Sequence, residues 1–330
     1  MALNRPITLE QAQRFGAFAA VITPFRFDDA RSIDWGKYEM LLQDLIAAGV
    51  NGIAAAVTTG EDCTLSFLEQ VAVASHTHAV VEGRVPLIFG AGSNNTEEAL
   101  ALTDAIENAV GPSTFLHATG YKNNPPQEGI IEHFEQLATR HPQSTFIMYS
   151  VSSRTSSRID PETQIYLMNT FPNIIGIKLA EPSMKDMVKT IAEKTKGNGV
   201  VISGEDDMVA YIMKYGGTGV ISASATAAPK IFREMTDMAL AGNHEEAERL
   251  QRYALPVVNA VFCKKNPIPL KYMFGSNVRR PLVTLDRIGG QVEIKSLGRH
   301  FPSAAQAVDE VVAQYGPSNL GMDLSKYRGK

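Results

Sequence analysis

Cysteine is scarce: Cys63 and Cys263 are the only two in 330 residues, and they show no CxxC spacing. A disulfide framework and a cysteine-based zinc site are excluded, and a reducing cytoplasm is the expected home. No run of about eighteen apolar residues occurs, so no segment reads as a membrane-spanning helix. Met1 to Arg14 has no long apolar centre and carries Glu10 and Arg14, which argues against a secretory signal. A basic surplus is missing too, since 31 Lys+Arg stand against 35 Asp+Glu, giving a net charge of -4 and a pI near 6.0. A nucleic-acid partner would need a basic face to displace counterions from phosphates. The pairs Lys264-Lys265 and Arg279-Arg280 are too short to supply one. No Walker A pattern is present, and Gly90-Ala91-Gly92-Ser93-Asn94-Asn95 is one glycine short of a dinucleotide turn. Neither a nucleotide cofactor nor a metal is expected.

What remains is an ordinary globular composition, 44% hydrophobic and 20% charged, ample for a substantial core. Short apolar runs alternate with longer amphipathic segments, the pattern of repeated βα units around a parallel sheet. Eight runs read as strands: Phe18 to Ile22, Gly52 to Val57, Pro86 to Phe89, Thr114 to His117, Thr145 to Tyr149, Ile174 to Lys178, Val200 to Ser203 and Gly219 to Ser222. Eight parallel strands close a (β/α)8 TIM barrel, which needs roughly 250 residues. A doubly wound open sheet would use fewer strands and a phosphate-gripping glycine turn. Helices are expected after Asp34 with a stop at Gly49, from Thr96, and over Glu128 to Arg140, Pro161 to Asn169, Ser183 to Glu193, Asp207 to Tyr215 and Pro229 to Ala241. The barrel is expected over residues 16–241. Residues 242–330 form a mainly helical C-terminal extension, with a helix over Glu245 to Phe262 bent at Pro256 and a short strand at Val292 to Ile294. The polar stretch from Gly316 to Lys330 is expected to be mobile.

Three strand ends carry groups suited to chemistry. Ile174-Ile175-Gly176-Ile177 hands its last side chain to Lys178, and a desolvated lysine favours the neutral form that attacks a ketone. Ile147-Met148 runs into Tyr149, a phenol that can move protons. Ala54-Ala55-Ala56-Val57 runs into Thr58-Thr59-Gly60-Glu61, a small polar turn suited to gripping a carboxylate. Taken singly, each is at home as a rim lysine, a core-edge tyrosine or a plain turn. A parallel barrel, however, gathers these ends around one site. Cys63 is expected as a small buried hydrophobe.

Across roughly residues 16–275 the chain resembles the dihydrodipicolinate synthase and N-acetylneuraminate lyase family of pyruvate-dependent aldolases. Thr58-Thr59-Gly60-Glu61 resembles the family's G-T-T-G-E turn, Gly90-Ala91-Gly92-Ser93-Asn94 its G-x-G-S-N loop and Gln127-Glu128-Gly129 its Q-E-G helix start. Tyr149-Ser150-Val151-Ser152-Ser153-Arg154-Thr155 resembles Y-N-V-P-x-R-T, and Gly176-Ile177-Lys178 the G-x-K of the Schiff-base lysine. Ser203-Gly204-Glu205-Asp206, Gly219-Val220-Ile221-Ser222 and Asn266-Pro267-Ile268-Pro269 complete the series.

The resemblance implies a covalent imine between Lys178 and pyruvate, with Tyr149 shuttling protons through Thr59. It further implies carboxylate binding by Thr58 and Thr59, a backbone contact from Ile221, and Arg154 on the carboxylate of aspartate semialdehyde. No cofactor is implied beyond the imine, and the partners are small molecules and other copies of the chain, as dimer or tetramer. Val57, Ser150 and Ser152 depart from the motifs, standing where the family has Gly, Asn and Pro. Lys122 falls where the synthases place a tyrosine that reaches across the subunit interface, and its charge would favour an anionic or polyhydroxylated substrate. An aldolase or dehydratase of a 2-keto-3-deoxy sugar acid or 4-hydroxy-2-oxoglutarate is the alternative. A non-catalytic keto-acid sensor is a further one, opposed by the joint presence of Lys178, Tyr149 and Thr59.

Overall fold

Each of the eight apolar runs forms a strand, and the strands close a parallel barrel in chain order. They are β1 (Gly16–Ala20), β2 (Gly52–Ala55), β3 (Leu87–Gly90), β4 (Thr114–Ala118), β5 (Thr145–Ser150), β6 (Ile174–Leu179), β7 (Val200–Ser203) and β8 (Gly217–Ser222), with β8 returning to β1. This computed structural model describes residues 4–26, 28–29, 32–118, 120–181, 184–279 and 281–328. The strand positions shift slightly from expectation. β1 and β8 both begin two residues early, and β2 stops at Ala55 because Ala56 turns to a positive φ of 52°.

The apolar side chains divide into two cores. Phe18, Ile88, Leu116, Ile147 and Ile221 fill the barrel interior, while Ile53, Phe89, Phe146, Ile177 and Val220 pack outward against the helices. This division is the period of two expected along a pleated strand. β6 adds an irregularity: Phe146 faces Ile174 and Ile147 faces Gly176, so Ile175 is left over as a bulge. Ile175 therefore joins the interior, Ile177 and Leu179 face the helices, and Lys178 between them faces the interior.

Local signals explain the helices. Asp34 caps Trp35–Ala47 by accepting from the Lys37 N–H at 3.1 Å, and Gly49 follows at a φ of 81°. Asn95 caps Thr96–Val110, and Pro161 and Pro229 occupy the first turns of Pro161–Thr170 and Pro229–Leu240. The segment expected over Asp207 to Tyr215 is shorter, Val209–Lys214. The helix Met184–Lys194 is present, while its expected start at Ser183 lies outside the described residues, as does Arg280.

The helix Phe67–Val81 was not anticipated. Its apolar residues do not keep to one stripe, and Phe67 and Leu68 are 44% and 77% exposed. The signal present is a capping box: Ser66 accepts from the Glu69 N–H and the Glu69 side chain accepts from the Ser66 N–H.

In the extension, one helix, His244–Val261, continues on both sides of Pro256. The expected strand β9 (Val292–Ile294) pairs antiparallel with an unanticipated β10 (Arg299–Phe301). The expectation of a mobile tail is overturned. Leu320, Met322, Leu324 and Tyr327 are all buried, and the Tyr327 hydroxyl donates to Asp44 at 3.0 Å. Ser318, Asn319, Ser325, Lys326 and Arg328 face outward around these anchors. Among the described residues no helix is long and apolar enough to cross a membrane.

Candidate active site

The C-terminal strand ends surround a cavity of about 360 Å3, where a parallel barrel carries its chemistry. Thr58 and Thr59 reach it from the turn after β2, Tyr149 from β5, Lys178 from β6 and Ile221 from β8. Arg154 lines it from the short helix Ser152–Thr155 that follows β5. Lys122 is not brought there: it sits exposed in the turn after β4 at a φ of 70°.

Lys178 and Tyr149 are direct partners in the β5–β6 register, and the Lys178 Nζ lies 4.3 Å from the centroid of the phenol ring. Lys178 is 7% exposed, and burial lowers its pKa from 10.5 to about 8. The carboxylates of Asp206 and Glu205 oppose that fall, and Arg154 adds to it. Burial drives the Tyr149 phenol upward, so it is held protonated and able to donate.

The Thr58–Gly60 turn is tied down from two sides. Gly60 and Glu61 donate their N–H groups to Val57 and Thr58 carbonyls at 2.7 and 3.1 Å, leaving Thr58 and Thr59 as first-turn amides without an intrahelical acceptor. Glu61, at a φ of 58°, is buried and paired with the fully buried Lys271 of the helix Ile268–Met273, and it accepts the Arg279 N–H at 3.2 Å. The extension thus anchors the turn. It also orients the Thr59 hydroxyl, which accepts from Asn266 Nδ2 at 3.2 Å. Among the described residues no hydrogen bond joins Tyr149 to Thr59, although both line the cavity.

Gly90 and Gly92 have steric reasons. A Cβ on Gly90 would stand 2.0 Å from the Ala56 carbonyl oxygen, and one on Gly92 would stand 2.6 Å from that of Ala118. Their loop is thus a close-packed βα connection.

Several site residues went unassigned. Glu205 and Asp206 follow β7 into the cavity, and burial pushes Glu205 up to about 7, with Asp207 and Asp206 adding to the rise. Asp206 is also raised by burial, while the Ser224 N–H donates to it at 2.7 Å. The strand-end rule that selects Lys178 selects these carboxylates as well. Phe262, Lys264, Lys265 and Asn266 come from the extension, so a lysine pair too short to matter in the charge balance lies beside the site. Glu181, buried after β6, accepts from the Ser150 hydroxyl at 2.6 Å, from the Ser152 N–H at 3.0 Å and from the Ser152 hydroxyl. Cys63 is a correction: it is exposed, and the neighbouring Asp62 carboxylate and partial burial push its thiol up to about 11.

A sequence profile of the dihydrodipicolinate synthetase family matches residues 13–287. A 4-hydroxy-tetrahydrodipicolinate synthase of Methanopyrus kandleri is 39% identical over 256 residues, 78% of this chain and 84% of that one. One of Neisseria gonorrhoeae is 37% identical over 287 residues, 85% and 96% of the two chains. The crystal structure of a dihydrodipicolinate synthase from Thermotoga maritima superposes with a TM-score of 0.81 at 30% identity, covering 92% of this chain and 98% of that one. With barrel, strand-end lysine and sequence in agreement over most of its length, the chain belongs to the dihydrodipicolinate synthetase family, enzymes of the class I aldolase type.

Proposed function

We propose that the chain condenses pyruvate with aspartate semialdehyde through a Schiff base on Lys178, as a 4-hydroxy-tetrahydrodipicolinate synthase. The observation that carries this reading is a buried amine of lowered pKa facing the barrel interior beside a protonated phenol. With a pKa near 8, roughly one Lys178 in ten is neutral at pH 7, against about one in three thousand for an unperturbed lysine.

The neutral amine adds to the pyruvate ketone, and loss of water gives the iminium. That cation is the electron sink, so a methyl proton can leave and the enamine carbon can bond to the aldehyde. The amino group of the condensed aspartate semialdehyde then attacks the imine carbon, closing the ring and expelling Lys178 as the free amine, so the one water lost is that of imine formation. Tyr149 supplies and recovers protons, with Thr59 as the relay and the Thr58 and Thr59 amides on the pyruvate carboxylate. The covalent imine is the only electron sink this reading requires, with no metal or nucleotide. Its setting is cytoplasmic, with other copies of the chain as partners. Lys122, exposed on its own chain, is assigned to the substrate site of a neighbouring copy in a dimer or tetramer.

Imine formation with pyruvate should speed up with pH, with a midpoint near 8, because the reactive form is the deprotonated amine. Glu205, Asp206, Asp62, Arg154 and Tyr149 are the charged and titratable groups around it, so Glu205→Gln should move the midpoint down. The rate of borohydride trapping measured from pH 6 to 10 checks this; a rate flat across that range rules out titration of Lys178 as the gate.

Arg154→Ala should raise the KM for aspartate semialdehyde at least about tenfold, the scale of one lost charge-assisted hydrogen bond. Pyruvate trapping should survive. Steady-state kinetics with each substrate varied separate the two, and an unchanged KM would remove Arg154 from the second-substrate site. Should the unaltered enzyme ignore aspartate semialdehyde but cleave a 2-keto-3-deoxy acid to pyruvate, the synthase reading fails while the Schiff base stands.

A further inference from the structure

Lys178 and Arg154 sit on different elements, and something must fix the distance between them. β6 carries the amine and then passes into Glu181, three residues on, which is 3% exposed. The guanidinium belongs to the Ser152–Thr155 helix after β5. Among the described residues, the donors to the Glu181 carboxylate come from the end of β5 and the start of that helix: the hydroxyls of Ser150 and Ser152 and the N–H of Ser152. Ser150 is engaged on its other side as well, its oxygen accepting the Ile159 N–H at 3.2 Å.

The two serines are the positions at which this chain departs from the family's Y-N-V-P-x-R-T pattern. That coincidence has a chemical reason. A proline at 152 would preset φ but has no N–H to donate, whereas Ser152 donates both its N–H and its hydroxyl. The ring's intrinsic stiffness is replaced by hydrogen bonds from a neighbouring strand end. A buried carboxylate needs such donors, so the clamp and the serines depend on one another.

We propose that Glu181 is a positioning residue, clamping the Arg154 turn to the Lys178 strand end and thereby fixing where the second substrate's carboxylate is held. The proposal rests on the reading of Arg154 given above.

The test is a double-mutant cycle on the full-length enzyme with pyruvate and aspartate semialdehyde. Glu181→Ala should raise the KM for aspartate semialdehyde about tenfold, while pyruvate trapping by borohydride stays within about twofold. Glu181→Gln keeps one acceptor oxygen and should recover part of the loss. In an Arg154→Ala background, Glu181→Ala should add almost nothing, since the group it places is gone. An unchanged KM in Glu181→Ala, or a full additional loss on top of Arg154→Ala, overturns the proposal. If Arg154→Ala alone leaves KM unchanged, the Arg154 reading fails and takes the clamp's purpose with it. Where Glu181→Ala does not fold, Ser152→Ala and Ser150→Ala carry the same cycle, each with an expected rise of a few-fold; no rise in either overturns the proposal.

Discussion

Replacing Lys178 by alanine is expected to lower turnover by on the order of 10⁴-fold or more, the scale on which removal of a covalent nucleophile acts. No other amine takes its place, because among the described residues Lys178 alone lies over the Tyr149 ring, whereas Lys264 and Lys265 approach the cavity from the extension. The same substitution should not cost stability near pH 7. Lys178 is protonated in the unfolded chain with a pKa of 10.5 and holds its proton less tightly when folded, near 8. Between those values the unfolded state binds more protons, so native stability rises with pH, and below about 8 the full cost of the buried amine is present. Alanine removes that cost. Denaturant melts at pH 7 and pH 10 should show the variant gaining on the unaltered protein at the lower pH; a variant that loses stability equally at both would show Lys178 to be a packing residue.

Tyr149→Phe should slow turnover by roughly 10²- to 10⁴-fold while leaving pyruvate trapping in place, since it deletes a general acid-base hydroxyl and keeps the ring under the Lys178 amine. Thr59→Val asks the complementary question. It keeps the volume, removes the hydroxyl that Asn266 orients at 3.2 Å, and interrupts any relay passing through that oxygen. A Tyr149→Phe enzyme at near-normal rate would take the phenol out of the proton path. A strong defect in Tyr149→Phe with none in Thr59→Val would leave the phenol in place and route its proton elsewhere, with Glu205 at a pKa near 7 as the group facing the same cavity.

The barrel was legible because its strands are short, apolar and evenly separated by amphipathic helices, a pattern set by solvent on one side and core on the other. Lys178 was legible for a related reason, as a charge closing an apolar run. Its orientation was not, because a run buried on both faces shows no alternation and the bulge at Ile175 resets the parity only in three dimensions. The helix Phe67–Val81 escaped notice because its apolar residues leave the core stripe, although Ser66 and Glu69 announced its start. Glu205 and Asp206 stand just past a strand end in the sequence, as Lys178 closes one, whereas the Glu181 carboxylate acquires its serine partners only once the ends of β5 and β6 are brought together. Lys264 and Lys265 are distant in sequence from the barrel strands, and only the path of the extension sets them beside the cavity. Cys63 and the chain's last turns misled in opposite directions, since local polarity cannot say that the Cys63 thiol stays at the surface or that Tyr327 reaches Asp44.

The central claim is a covalent bond between pyruvate and one particular lysine, and it is tested most directly by borohydride reduction of the enzyme in the presence of pyruvate, followed by peptide mass analysis. The predicted result is the mass of one reduced pyruvyl group on the peptide containing Lys178, absent without pyruvate and absent in Lys178→Ala. A folded enzyme that gains no mass, or gains it on another lysine, would contradict the account.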